Sequence, residues 1–162
     1  MTGGDAGGDV VLVDAVRTPR GKGSARGALH ALAPLELVTG LLDALVARGL
    51  DPAAVDDVVL GCASQIGEQG GNLARTAVLR AGWKAPVPGV TINRFCASGL
   101  DAVNLAAARI RAGDADAIVA GGVESVSRVP LFADDGPLWH EPTSIHMGVA
   151  ADAIATLEGF TR

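Results

Sequence analysis

Residues 90–113 read VTINRFCASGLDAVNLAAARIRAG. Val90-Thr-Ile92 suits a short buried strand, a turn carries Cys96, and an alanine-rich helix is predicted from about Ala97 to Arg111 before Gly113 stops it. The same cycle recurs before and after this stretch. Val58-Val-Leu60 is a continuous apolar run followed by a glycine-rich link, Gly67 to Gly71, and a predicted helix from about Asn72 to Ala81. Ala117-Ile-Val-Ala120 is a further strand ending in Gly121-Gly122. Upstream, Val10-Val-Leu-Val13 reads as a strand buried on both faces. Pro34 then opens a helix with Leu35, Val38, Leu42 and Leu45 on one face and Leu37, Leu41 and Val46 beside it. Gly49 ends that helix and Pro52 keeps it ended. Alternating strands and helices predict an α/β fold, layered αβα with a mostly parallel mixed sheet.

The pattern divides the chain into three parts. Residues 1–9 are a Gly/Asp tail expected to be disordered. Residues 10–130 form the α/β domain. From 131 to 162 periodicity is lost in LFADDGPLWHEPTSIHMG, which reads as a long functional loop or the entry to a second subdomain, and Ala150 to Leu157 begins a helix.

Composition narrows the function classes. The 162 residues are 49% hydrophobic and 19% charged, but aromatics are only 3% and tyrosine is absent, so the core is built from Ala, Val, Leu and Ile. A net charge of −5 argues against a nucleic-acid surface. The basic cluster Arg17, Arg20, Lys22 and Arg26 reads first as a solvated loop and second as an anion or partner contact. Its GKG run is not a phosphate loop, because Val16 stands where the Walker pattern needs Gly and Gly23 where it needs Ser or Thr. Two cysteines and three scattered histidines make neither a disulfide framework nor a metal spacing. No apolar run reaches the roughly 18 residues of a membrane span, and MTGGDAGGD lacks the basic and apolar regions of a signal peptide, so a reducing cytoplasm is expected.

Cys96 falls between the third strand and the third helix. A thiolate there would lie near the unpaired N–H groups of the helix start, where the partial positive charge favours an anion. Ala97, Ser98 and Gly99 leave room for an acyl group, and the C-terminal ends of strands are where open α/β sheets place their chemistry. On position alone, a nucleophile and a small buried hydrophobe remain equally good readings. Cys62, in LGCASQ, is read as structural. The third helix is apolar on nearly every side: Leu100, Val103, Ala107 and Ile110 make one face, and Ala102, Leu105, Ala106 and Ala108 cover much of the rest. Such a helix is expected to need a covering layer on a second side.

These residues resemble the thiolase family. NRFCASGLDAV is similar to its nucleophile signature, VDAVRTPRGKG to its opening strand and loop, and VVLGCASQIGEQGGNLARTAVLRAG to its second strand–helix unit. GDADAIVAGGVESVSRVP resembles the glycine-rich segment after its fourth strand, and IHMGVAAD its substrate loop. The resemblance implies an acyl-CoA acyltransferase that carries the acyl group as a cysteine thioester and makes or breaks a carbon–carbon bond. It implies Cys96 as nucleophile, His146 and Met147 along the pantetheine channel, and Leu138 as a neighbouring apolar wall. Acyl-CoA and CoA would be the small-molecule partners, no metal or separate cofactor would be needed, and the protein would be an oligomer. Asn72 and Arg75 resemble a segment near the family's dimer interface, whereas Glu124 and Ser125 are expected to hold their loop by hydrogen bonds. His30, His140 and the pairs Asp56-Asp57 and Asp134-Asp135 are expected at the solvated surface.

Thiolases contain two similar halves, and the chain resembles the first. The Asn-Glu motif, the Gly-His-Pro motif with the activating histidine, and the second reactive cysteine are not found in it. A truncated or split form is therefore expected, with the third helix awaiting the second half. Two alternatives stand beside the acyltransferase: a non-catalytic thiolase-like subunit that binds acyl-CoA or a partner, and a ketoacyl synthase, whose turn usually reads differently before the cysteine.

Overall fold

The structure is a computed structural model that describes residues 9–83, 86–131, 133–134, 136–141 and 145–161; the side chains of residues 138 and 139 lie outside the description. Three parallel strands form the sheet: β1 (Asp57–Gly61), β2 (Val90–Ile92) and β3 (Ile118–Gly122), in the order β2-β1-β3. Val59 pairs with Val90 on one side of β1 and with Ala120 on the other. All three described strands run parallel, as the alternation of strands and helices predicts.

The chain leaves β1 for β2 through α2 (Leu73–Arg80), then returns past β1 to β3 through α3 (Ser98–Arg111). The two crossovers run in opposite directions, and right-handed connections therefore put the two helices on opposite faces. Burial agrees. Val58 and Leu60 join a core with Val38 and Leu42 of α1 (Pro34–Ala47) and with Leu73, Ala74, Ala77 and Val78 of α2. The alternate residues Asp57, Val59 and Gly61 face α3, as the period of two requires. With both faces covered, every residue of β1 is buried.

Local chemistry sets the helix ends. Pro34 supplies a preset φ at the first position of α1, and the Glu36 carboxylate accepts the Ala33 N–H at 2.7 Å. At the other end Gly49 takes φ +109, and the Leu50 N–H turns back to the Leu45 carbonyl at 3.0 Å. Asn72 caps α2, its side-chain oxygen accepting the Arg75 N–H and the Thr91 hydroxyl while its amide donates to Gly89. The sequence reading placed Asn72 at the first turn of this helix; it is the residue before it.

Val10–Val13 departs from expectation. It is no strand, and Leu12 is 82% exposed. A doubly buried strand needs a neighbour for its hydrogen bonds as well as apolar side chains, and none of β1–β3 pairs with this segment. It is tied back after its end, where Asp14 forms a bidentate pair with Arg48 beyond α1. The outer edge of β3 is likewise unpaired among the described residues.

The predicted terminal helix is α4, Met147–Glu158, which starts earlier than the sequence suggested because the His146 side chain caps it. None of its residues is buried. No helix of the described residues is long and apolar enough to cross a membrane.

Candidate active site

α3 approaches the sheet more closely than ordinary side chains would allow. A Cβ on Gly61 would lie 2.1 Å from the Ser98 carbonyl carbon and 2.4 Å from the Gly99 nitrogen. A Cβ on Gly122 would lie 3.1 Å from the Gly99 Cα. The helix start therefore rests on bare backbone at the C-terminal ends of β1 and β3. Only small residues of α3, namely Ser98, Ala102 and Ala106, are buried against the sheet. Of the apolar face marked in the sequence, Leu100 is 66% exposed and Val103 is open, as is Leu105 beside it, while Ala107 and Ile110 are half-buried.

Cys96 lies on the turn that enters this helix and is exposed. Phe95 before it has φ +48, a left-handed backbone costing a bulky residue about 1–2 kcal/mol. Hydrogen bonds hold the turn. Asn93 Oδ1 accepts the Phe95 N–H at 2.7 Å, and Asn93 Nδ2 donates to the Ala63 carbonyl at 2.9 Å. Ser98 Oγ accepts the Arg94 N–H at 2.8 Å and donates to the Phe95 carbonyl at 2.6 Å. The N–H groups of Ala97 and Ser98 reach the carbonyls of Arg94 and Phe95. Among the described residues, no acceptor takes the N–H of Cys96, Gly99 or Leu100. These donors belong to the turn and helix start that carry Cys96, and a helix start with open N–H groups can bind an anion or a developing oxyanion.

Cys62 is 1% exposed after β1, its thiol directed at the Ser64 carbonyl and, 3.9 Å away, the Glu124 carboxylate. Burial, reinforced by the negative charge of Glu124, pushes this thiol up to about 12. Glu124 also accepts the Ala63 N–H at 2.7 Å and Gln69 Nε2 at 2.8 Å. Fully buried Gln69 donates in addition to Ser64 and accepts the Ser125 N–H, locking the exits of β1 and β3 together.

The other candidates lie at the start of α4 and on the segment before it. His146 Nδ1 accepts the Gly148 N–H at 3.4 Å as the α4 cap, and Met147 is exposed. Leu138 falls on a 3₁₀ turn, Pro137–His140, with its side chain outside the described residues. Arg75 donates to the Val87 carbonyl from α2.

Two surface expectations are corrected. Asp57 is buried at the start of β1 and paired with Arg109 of α3, because a carboxylate on the α3-facing side of a covered strand needs a cation. Its neighbour Asp56 accepts the N–H groups of Asp116 and Ala117, which hold its carboxyl below the usual carboxylate range. His30 is half-buried, since Arg128 reaches its carbonyl while forming a bidentate pair with Glu68. Asp134 and His140 are exposed, and Asp135 lies outside the described residues. Sequence reasoning gave Asn93 and Gln69 no role. Neither has an apolar period to betray it; the adjacent NRFC and GEQGG turns were the available signal.

Comparison with known proteins agrees with this architecture. Residues 10–140 match the thiolase N-terminal domain. The chain is 41% identical over 161 residues to a 3-ketoacyl-CoA thiolase of Saccharophagus degradans, covering 95% of this chain and 41% of that protein. It is 49% identical over 124 residues to a beta-ketoadipyl-CoA thiolase of Pseudomonas aeruginosa, covering 75% and 30%. The crystal structure of the Bacillus anthracis acetyl-CoA acetyltransferase superposes with a TM-score of 0.69 at 34% identity, over 83% of this chain and 39% of that one. The chain thus spans well under half the length of these relatives. A parallel sheet, a helix seated on glycine backbone and an exposed cysteine at its entry accompany these matches, and the chain belongs to the thiolase family through its N-terminal domain.

Proposed function

We propose that this chain supplies the acyl-accepting half of an acyl-CoA acyltransferase, with Cys96 as nucleophile. The observation that supports this best is an exposed cysteine at the entry to α3, where the N–H groups of Cys96, Gly99 and Leu100 find no acceptor among the described residues. Attack by sulfur on the thioester carbonyl of acetyl-CoA, or on the 3-keto carbonyl of a 3-ketoacyl-CoA, forms a Cys96–acyl bond and places negative charge on the carbonyl oxygen, where those donors stabilise it. With acetyl-CoA, collapse breaks the bond to CoA sulfur, and CoA leaves with the proton that Cys96 gave up. With a 3-ketoacyl-CoA, the carbon–carbon bond breaks instead and the proton goes to the departing acetyl-CoA carbon. The second half-reaction returns the acyl group to CoA or to an acetyl-CoA carbanion.

In this reading His146, Met147 and Leu138 line the pantetheine path. A covering layer over Leu100, Val103 and Leu105, from a second thiolase half or another subunit, completes the site. A free exposed thiol fits the reducing cytoplasm. Among the described residues no side chain hydrogen-bonds the Cys96 sulfur, so the chain alone is expected to accept an acyl group rather than turn over. That same observation favours a second reading, an acyl-CoA-binding subunit that does no chemistry.

Incubation with acetyl-CoA followed by peptide mass spectrometry separates the two. An acetyl adduct on the Cys96 peptide, lost in Cys96→Ala, is expected. A folded chain that binds acetyl-CoA without acquiring an adduct would establish the binding subunit.

A further inference from the structure

We propose that Asn93 is the positioning residue of the Cys96 turn: its bridge between Ala63 and Phe95 holds the strained backbone that presents the sulfur and leaves the Cys96 N–H free. This rests on reading Cys96 as the reactive group. Among described non-glycine residues only Asn72 and Phe95 have positive φ. Asn72 is of a type that tolerates this conformation and bonds to the backbone of its own helix. Phe95 has neither advantage, and its ring is exposed, so packing of the side chain does not hold it. What holds it is hydrogen bonding on both sides of its Cα. Its carbonyl is taken by Ser98, through both N–H and Oγ, from inside the helix start. Its N–H is taken by Asn93, and Asn93 is in turn anchored to Ala63 on a different strand exit.

Ala63 is itself fixed, since its N–H donates to Glu124 beyond β3. Asn93 therefore links the Cys62–Ser64 segment and the β3 exit to the turn that carries Cys96. Without it, Phe95 keeps only the Ser98 side of its clamp and can relax toward negative φ. That rotation reorients the peptide joining Phe95 to Cys96, and with it the N–H that is unpaired in the native turn.

A double-mutant cycle with glycine tests this, because glycine adopts positive φ without the penalty. The readout is the rate of Cys96 alkylation by iodoacetamide, which involves no CoA ester. Asn93→Ala is expected to slow alkylation about tenfold. In the Phe95→Gly background, removing Asn93 should cost little. Cys62 is the internal control: it stays unlabelled while the fold is intact, so a variant that merely unfolds is recognised by its labelling. An unchanged rate in Asn93→Ala, or an equal loss in the two backgrounds, overturns the proposal. If alkylation follows the cycle but acetyl-CoA leaves no adduct, the acyltransferase reading fails while the positioning role stands.

Discussion

Cys62-Ala-Ser64 and Cys96-Ala-Ser98 are the same tripeptide, each placed after a parallel strand of one sheet. After β1 the cysteine is turned inward, and its thiol sits beside the Ser64 carbonyl and the Glu124 carboxylate. After β2 it stays exposed at the entry to α3, and among the described residues no carbonyl or carboxylate takes its thiol. The next residue marks the divergence. Gly99 lets α3 settle onto Gly61 and Gly122, whereas Gln65 donates back to the Cys62 carbonyl and the loop is gathered around Gln69 and Glu124. Identical residues become a candidate nucleophile or an inert core group according to which partial charges their surroundings aim at the sulfur.

The sharpest way to break this contrast is to measure both thiols in one molecule. A thiol raised from 9.0 to about 12 is roughly 1,000-fold less ionised near neutral pH. Burial adds a barrier to access, so Cys62 should be alkylated at least about 1,000-fold more slowly than an unperturbed exposed thiol. The ratio of Cys96 to Cys62 labelling, measured by peptide mass spectrometry, should fall toward one in denaturant. A pH effect accompanies it. The folded state prefers the protonated Cys62 thiol, so its contribution to stability is complete below pH 9 and is lost as pH rises toward about 12. Urea titrations across that window should show an alkaline loss that Cys62→Ala lacks.

Gly61→Ala tests the seat of α3 without touching either sulfur. Its Cβ would meet the Ser98 backbone at 2.1 Å, and rigid backbone cannot yield as a side-chain tip can. Destabilisation of about 3 kcal/mol or more is expected, visible as a lowered denaturant midpoint. Acylation of Cys96 should fall in the molecules that remain folded, because the helix start is displaced.

Glu124→Gln should have the smallest effect. It keeps the side-chain shape but removes the negative charge that acts second to burial in raising Cys62. The Cys62 alkylation profile should therefore move to lower pH, with a severalfold gain in rate. An unmoved profile would mean that burial alone sets this thiol apart.

Much of the α/β order was readable along the chain because strand and helix periods are local. Val58-Val-Leu60, the Pro34 helix and the Gly113 stop all express preferences within a few residues of themselves. The thiolase match over residues 10–140 bears out the family reading made from such motifs. Val10–Val13 escaped that logic, since an apolar run records a demand for burial but does not name the neighbour that meets it. Asn93 and Gln69 escaped it for another reason. Their importance lies in carbonyl and amide partners that are 30 and 56 positions away in the chain.

From residue order alone follow the alternation of elements, the cysteine at a strand-to-helix turn, and the glycines that permit close approach. Which Cys-Ala-Ser is open, which face of α3 meets the sheet, and how Phe95 is kept in a left-handed backbone are settled by folding. Those outcomes depend on contacts between distant segments: Glu124 against Cys62, Ser98 against Gly61, Asn93 against Ala63. Local preference chooses secondary structure, whereas burial and electrostatic surroundings exist only after the chain has brought remote groups together.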